Sequence, residues 1–230
     1  LAEILQAILK VSQNEMGRPV EIEFAVTLDA MKKTGTFYLL QIRPMVDVKA
    51  DLSENLNLIP EDQLLLKSYN SLGHGIMEDV YDVVYVKTDG YSASNNQLIA
   101  YEIEKINRKF LEEDKHYVLV GPGRWGSSDT WLGIPVKWPH ISAARVIVEA
   151  GLTNYRVDPS QGTHFFQNLT SFGVGYFTVN DYIGDGVYNQ EFLNSQPAVQ
   201  ETEHVRHVRF SSPIIIKVDG MKKEGVVLMP

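Results

Sequence analysis

Cysteine is absent from this 230-residue chain, which excludes disulfide scaffolds, thiolate metal sites and cysteine nucleophiles together. Long apolar runs are absent too. None reaches the roughly 18 residues that suggest a membrane span, so no membrane partner is expected. Basic residues are few: 21 Lys and Arg stand against 29 Asp and Glu, a formal charge of −8. A nucleic-acid partner held through bulk electrostatics is therefore not expected. The N-terminus shows no signal-peptide pattern, and a cytoplasmic location is the expectation. Also missing are a Gly-Lys-Ser/Thr phosphate loop, a Gly-x-Ser-x-Gly elbow and a His-Glu-x-x-His motif. P-loop, serine-hydrolase and zinc-protease chemistry accordingly have no support. What is present, 44% hydrophobic and 22% charged residues, is ordinary globular composition with enough chain for one large or two smaller domains.

Leu1, Ile4, Leu5, Ile8 and Val11 recur at helical spacing, and Gly17 and Pro19 end the pattern, so residues 2–16 are expected to form an amphipathic helix. No capping residue precedes it, and the expectation is a chain cut from something longer. Residues 20–28 and 36–43 read as two strands joined by a polar turn over Asp29 to Gly35. Pairing residues 28 and 36 in an antiparallel hairpin sets Glu23 opposite Gln41 and Glu21 opposite Arg43. These four side chains then share one face, and Ile22, Phe24, Leu40 and Ile42 share the other, which suits a core. The polar face has a bland reading, a solvated sheet surface with an incidental ion pair. It also has a chemical one: a carboxylate and an amide oxygen can ligate magnesium, and an arginine can hold a phosphate oxygen.

The run Gly17-Arg18-Pro19-Val20-Glu21-Ile22-Glu23-Phe24, followed by Leu40-Gln41-Ile42-Arg43-Pro44, resembles the end of the ATP-grasp nucleotide-binding domain of the phosphoenolpyruvate synthase and pyruvate phosphate dikinase family. Phe24 stands where that family often has tryptophan. The resemblance covers about residues 1–47. It implies Mg2+ and ATP as cofactors, with Glu23 and Gln41 holding the metal and Arg43 contacting the phosphates as the catalytic residue. It also implies a nucleotide and a small-molecule substrate, pyruvate among them, as partners. Most of the family's nucleotide domain would precede Leu1, so this chain alone is expected to bind ATP poorly.

Asp47 to Asn57 is a polar connector ending at Pro60. The expected division is residues 1–50, the end of an ATP-grasp-like domain, and residues 60–230, a mixed α/β domain with a β-rich end. Residues 1–50 carry six bases and six acids, so the whole net charge lies beyond them. No repeat or low-complexity tract is evident. Strands are expected at Val80 to Val86, Tyr117 to Val120, Phe172 to Val179, His204 to Phe210, Pro213 to Val218 and Gly225 to Met229. A helix is expected over Asn96 to Glu113, and Ser142 to Ala150 fits either state.

Three segments of this second part bear on chemistry. Gly121-Pro122-Gly123-Arg124-Trp125-Gly126 follows a strand and formally matches a dinucleotide fingerprint, but Pro135 and Pro139 argue against the helix that fingerprint requires. Gly121, Gly123, Arg124 and Gly126 remain candidates for cradling an anion through backbone N–H groups. The alternative is a tight loop packed by Trp125, Trp131 and Trp138. Gly162-Thr163-His164-Phe165-Phe166 departs from the phosphohistidine motif of the resembled family, which has Thr-x-His before small residues. His140 has small neighbours but lacks the threonine. His204 and His207 face opposite sides of a strand, which does not suit a metal.

Two functions from different classes therefore stand. One is a fragment of an ATP-dependent phosphotransferase that transfers phosphate to pyruvate through a phosphohistidine. The other is a non-catalytic ligand-binding or regulatory module attached to an ATP-grasp relic. A structural domain that only packs against a catalytic part is a third reading, and homo-oligomerisation is compatible with the sequence.

Overall fold

The computed structural model describes residues 1–16, 20–29, 31–32, 34–44, 55–153, 156–158, 160, 169 and 172–230. The chain divides into two compact units, Leu1–Lys49 and Ala50–Pro230.

The smaller unit is one helix, α1 (Ala2–Met16), and one hairpin, β1 (Val20–Asp29) and β2 (Thr34–Pro44). The pairing at the open end of the hairpin is the one expected: Glu21 opposite Arg43, Ile22 opposite Ile42 and Glu23 opposite Gln41. Beyond Glu23 the register slips by one at a bulge, so that Leu28 pairs with Gly35 rather than with residue 36. The turn explains the slip. Asp29 Oδ1 accepts the backbone N–H groups of Met31 and Lys32, at 3.1 Å each, which seats Asp29 opposite Thr34. That closure is one residue out of step with the Glu21 end, and the strand absorbs the extra residue. The expected apolar faces are only partly covered. Leu5 and Ile8 are half-buried, while Ile4, Val11, Phe24 and Leu40 are exposed; Phe24 stacks on Phe37 at 5.1 Å between ring centres.

The larger unit is a strand-rich mixed α/β fold built on a ten-stranded sheet. In chain order its elements are β3 (Leu64–Ser68), β4 (Asn70–Leu72), β5 (His74–Val86), α2 (Asn96–Glu112), β6 (Tyr117–Pro122), β7 (Arg124–Trp125), β8 (Gly133–Ile134), β9 (Ala144–Ala150), β10 (Gly175–Val179), β11 (Val187–Tyr188), α3 (Gln190–Ser195), β12 (Ala198–Glu201), β13 (Val205–Asp219) and β14 (Glu224–Leu228). Strands run in the order β11-β3-β14-β13-β5-β6-β9-β10-β4, with β12 added on β13; β7 and β8 pair separately. β5, β6, β9 and β10 are mutually parallel, so all four end at the same edge. β3 and β4 are separated only by Tyr69, yet β3 pairs with β14 and β4 with β10. One short stretch of chain thus joins the two ends of the sheet, and the sheet curls. At the bend the Ser68 hydroxyl donates to the Thr178 carbonyl at 2.7 Å.

Alternation along the parallel strands sorts the core into two layers. Tyr117 and Leu119, Ile147 and Tyr176 face α2, where Ile99, Ile103, Ile106 and Phe110 form the helix stripe. Val118 and Val120, Val146 and Val148, and Phe177 face the opposite way, onto Val208, Ile214, Ile216 and Val227. Each such side chain contributes about 2 kcal/mol of burial. Two buried asparagines share the helix stripe. Asn96 Nδ2 donates to the carbonyls of Thr130 and Gly133 at 2.7 and 3.0 Å. Asn107 Nδ2 donates to Pro139 O at 3.1 Å, while its Oδ1 accepts from Ala143 N–H and Tyr117 OH, both at 2.9 Å. They clamp the long connection between β6 and β9 to the helix.

Three expectations sharpen. The ambiguous residues 142–150 resolve as strand β9, preceded by a turn. The two strands expected over 204–218 are one, β13, whose pairing with β5 breaks between Arg209 and Ile214; Pro213, which has no N–H to give, lies in that break. β10 begins at Gly175 rather than Phe172.

Gly225 leaves room for the Phe177 ring, which a Cβ there would overlap. Gly225→Ala should lower stability by about 1–3 kcal/mol in urea unfolding, and Phe177→Leu in the same chain should recover part of that loss.

Candidate functional site

The carboxyl edge of a parallel sheet is where strand ends leave loops and unpaired backbone, and where open α/β sheets take ligands. Here the ends of β5, β6 and β9 open onto a cavity of about 640 Å3, lined also by residues that follow β10 and by the start of α3. Val86, Val120, Pro122, Ala150 and Leu152 are its apolar lining, together with Gly121 and Gly151. Its polar lining includes Thr88, Tyr91, Thr153, Asp181, Tyr182 and Gln190. Thr88 and Gln190 bind each other, Gln190 Nε2 lying 2.9 Å from Thr88 Oγ1. Gly151 matters through what it lacks: a Cβ would strike the Asn180 amide and the Tyr182 ring. Asn180 is buried, accepting the Val157 N–H at 2.9 Å and donating to the Val157 carbonyl at 3.1 Å. The Tyr188 hydroxyl is buried with no hydrogen-bond partner among the described residues.

The Gly-Pro-Gly-Arg-Trp-Gly loop borders this cavity only through Gly121 and Pro122. Of the N–H groups expected to cradle an anion, those of Gly123, Arg124 and Gly126 have partners within the protein. Gly123 N–H donates to Ala150 O, Arg124 N–H to Leu132 O, Gly126 N–H to Ile134 O, and Trp125 N–H to the Glu149 carboxylate. No helix follows; the loop runs into the short pair β7–β8. Of the three tryptophans expected to pack it, Trp125 is buried, with Nε1 donating to Val148 O at 2.9 Å. Trp138 stacks on Phe172, and Trp131 is exposed. Gly121 is required by Trp125, whose ring occupies the space of a Cβ.

Behind the loop lies a carboxylate that sequence reading missed. Glu149 is fully buried, its Oε1 accepting the Trp125 N–H at 3.0 Å and its Oε2 the Tyr176 hydroxyl at 2.6 Å. The Tyr176 oxygen also accepts the Ser160 N–H at 2.8 Å and lies 2.9 Å from Thr178 Oγ1. Burial pushes the Glu149 carboxyl up to about 7, against the opposing pull of these hydrogen bonds and the Arg124 charge. The signal available in sequence was one acid inside Val-Ile-Val-Glu-Ala, at a position where alternation points it toward the helix-side layer.

Three of the described histidines, His140, His204 and His207, are engaged by polar groups of the protein. His140 Nδ1 lies 3.1 Å from the Lys137 N–H, whose proton it accepts. His164 lies outside the described residues. His204 precedes β13 and bonds Glu102 at 3.0 Å. Burial opposes ionisation of Glu102, but the hydrogen bonds from His204 and Thr202 outweigh it and hold the carboxyl below its ordinary range. His207 meets the buried Asp82 at 2.6 Å, and Arg209 grips the same carboxylate at 2.9 and 3.2 Å. Among the described residues no cluster of three or more His, Asp or Glu is placed to hold a metal, and no helix is long and apolar enough to cross a membrane.

In the smaller unit, the hairpin register puts Glu21, Glu23, Gln41 and Arg43 on one face. Arg43 donates to Gln41 Oε1 at 2.6 Å. Glu23 and Gln41 offer two hard oxygen donors from directly opposed positions. That donor set fits magnesium, which takes few protein ligands and completes its shell with water and phosphate oxygens. Comparison with known proteins adds no relative: no family model, no curated protein and no solved structure matches the chain.

Because the Glu149 carboxyl titrates higher in the fold than in the unfolded chain, its protonated form is favoured by folding. Stability from this group is full below the unfolded value and is lost as pH rises through about 7. Between pH 5 and 8 the chain should lose roughly 2 kcal/mol relative to Glu149→Gln, read from urea unfolding at both pH values.

Proposed function

We propose that the chain is part of an ATP-dependent phosphotransferase, with the hairpin of the smaller unit serving the metal and phosphate end of bound ATP. The observation that carries this reading is the cross-strand pairing of Glu21 with Arg43 and of Glu23 with Gln41, which gathers two oxygen donors and a guanidinium on one sheet face. Glu23 and Gln41 would hold magnesium, and Arg43, oriented by its bond to Gln41, would grip phosphate oxygens. Bound magnesium supplies charge neutralisation to the phosphates. The task left to these side chains is electrostatic: a guanidinium held in place before reaction stabilises charge spread over a transferring phosphoryl group without reorganising. Pyruvate is the acceptor that the sequence resemblance suggests, with phosphoenolpyruvate, AMP and phosphate as products. His140, whose Nδ1 is occupied, has no assigned part in the transfer.

The cavity at the carboxyl edge favours a second role for the larger unit, that of a ligand-binding module. The two readings are compatible, since they concern different units.

The deciding experiment incubates the longest natural polypeptide that contains these residues with Mg2+, ATP and pyruvate, and follows all phosphorus species by NMR. ATP should be consumed, and Glu23→Gln should slow consumption at least a hundredfold. Full turnover by Glu23→Gln would remove the assignment of the hairpin.

A further inference from the structure

A second, smaller cleft lies between the last turns of α2 and the strands β12 and β13, with a volume of about 200 Å3. Ile106, Phe110 and Val199 form its apolar wall. Lys109, Glu113, Gln200, His207 and Arg209 are its polar lining.

A buried carboxylate organises this lining. The Asp82 side chain is 3% exposed and that of its partner Arg209 36%. Arg209 donates from Nε and Nη2 to the two Asp82 oxygens at 2.9 and 3.2 Å, and His207 Nε2 lies 2.6 Å from Asp82 Oδ1. Releasing either partner would leave a buried charge uncompensated, so both are held in place before any ligand arrives. The Phe110 ring, 5.1 Å from that of His207 between centres, holds the imidazole from a second side.

The donors of the cleft are largely unspent. A guanidinium has five N–H groups. Arg209 gives two to Asp82, and no described residue accepts the other three. Those three include the fork of Nη1 and Nη2, the edge that grips a carboxylate or phosphate through two parallel hydrogen bonds. Asp79 and Asp114 reach Arg209 from a neighbouring cleft without bonding to it. Lys109 Nζ donates to Gln200 Oε1 at 2.7 Å and has no carboxylate partner among the described residues. With its Oε1 taken, Gln200 offers its amide N–H groups. The acceptors are spent instead. Lys115 holds Glu113 at 2.6 Å, and that bond keeps the Glu113 carboxyl below its ordinary range. At the end of α2 the carbonyls of Lys109, Phe110 and Leu111 accept the N–H groups of Glu113, Lys115 and Asp114. His207 Nδ1, unpartnered among the described residues, accepts from a hydroxyl or, in the protonated ring, donates to an oxygen.

We infer that this cleft binds a small oxyanion, the carboxylate or phosphate group of a low-molecular-weight acid, on the free fork of Arg209 and the ammonium of Lys109. The inference is independent of the phosphotransferase assignment and of the cavity at the carboxyl edge.

The test uses the full chain, labelled with nitrogen-15, in NMR titrations at fixed pH and ionic strength. Sodium phosphate and sodium benzoate are the probes, and sodium chloride is the control. At least one probe should move the Arg209 Nε–H and Gln200 amide resonances to saturation with a Kd of about 10 mM or below. The probe that responds distinguishes a phosphate ligand from a carboxylate. Shifts that chloride reproduces, or that never saturate, overturn the site. Lys109 is exposed, and its side chain bonds only Gln200 among the described residues. Lys109→Gln should therefore leave the urea midpoint unchanged while weakening the responding probe about fivefold or more. Lys109→Arg, which keeps the charge, should restore affinity to within about twofold of the parent. Unchanged affinity in Lys109→Gln overturns the assignment of the cleft.

Discussion

The larger unit depends on nine residues, Leu64 to Leu72, that hydrogen-bond to both ends of one sheet. Because β3 joins β14 and β4, one residue later, joins β10, the sheet has to curl, and its concave layer closes over Phe177, Val118 and Val148. The bend needs its own support, and the bond from Ser68 to the Thr178 carbonyl provides it. The four parallel strands end at one rim because they run in one direction, and the cavity lies among the loops that leave that rim.

Much of this could be read from the residues alone, and the limits are physical. Helices with a clear stripe, residues 2–16 and 96–112, and strands with strong β-branched runs declare themselves locally. The hairpin register near Glu21 and Arg43 was legible because alternating polar residues fix which face is which. The bulge beyond Glu23 was not, because it reconciles a turn geometry with a pairing several residues away. The curl was invisible for the same reason: nothing in Leu64 to Leu72 says that its two halves pair with strands from distant parts of the chain.

The candidate sites divide likewise. Glu23, Gln41 and Arg43 are short-range in sequence; alternation put them on one face, and the family resemblance suggested their roles. Gly121, Gly123, Arg124 and Gly126 looked like a phosphate loop because glycine content is legible and hydrogen-bond occupancy is not; the acceptors of the Gly123, Arg124 and Gly126 N–H groups are Ala150, Leu132 and Ile134. Glu149 itself gave only a weak signal, a lone acid in a strand. Its partners, Trp125, Tyr176 and Ser160, come from three separate segments, and only the fold brings them to one carboxylate.

The two asparagines on α2 have a consequence for how the molecule opens. Asn96 and Asn107 hold the connection between β6 and β9 by its backbone at Thr130, Gly133, Pro139 and Ala143. That stretch has little regular structure of its own, yet releasing it exposes amides buried in the helix interface. Helix and connection therefore belong to one cooperative unit of local unfolding. A segment drawn as a loop would exchange the Ala143 amide proton, which Asn107 Oδ1 accepts, on the helix's timescale.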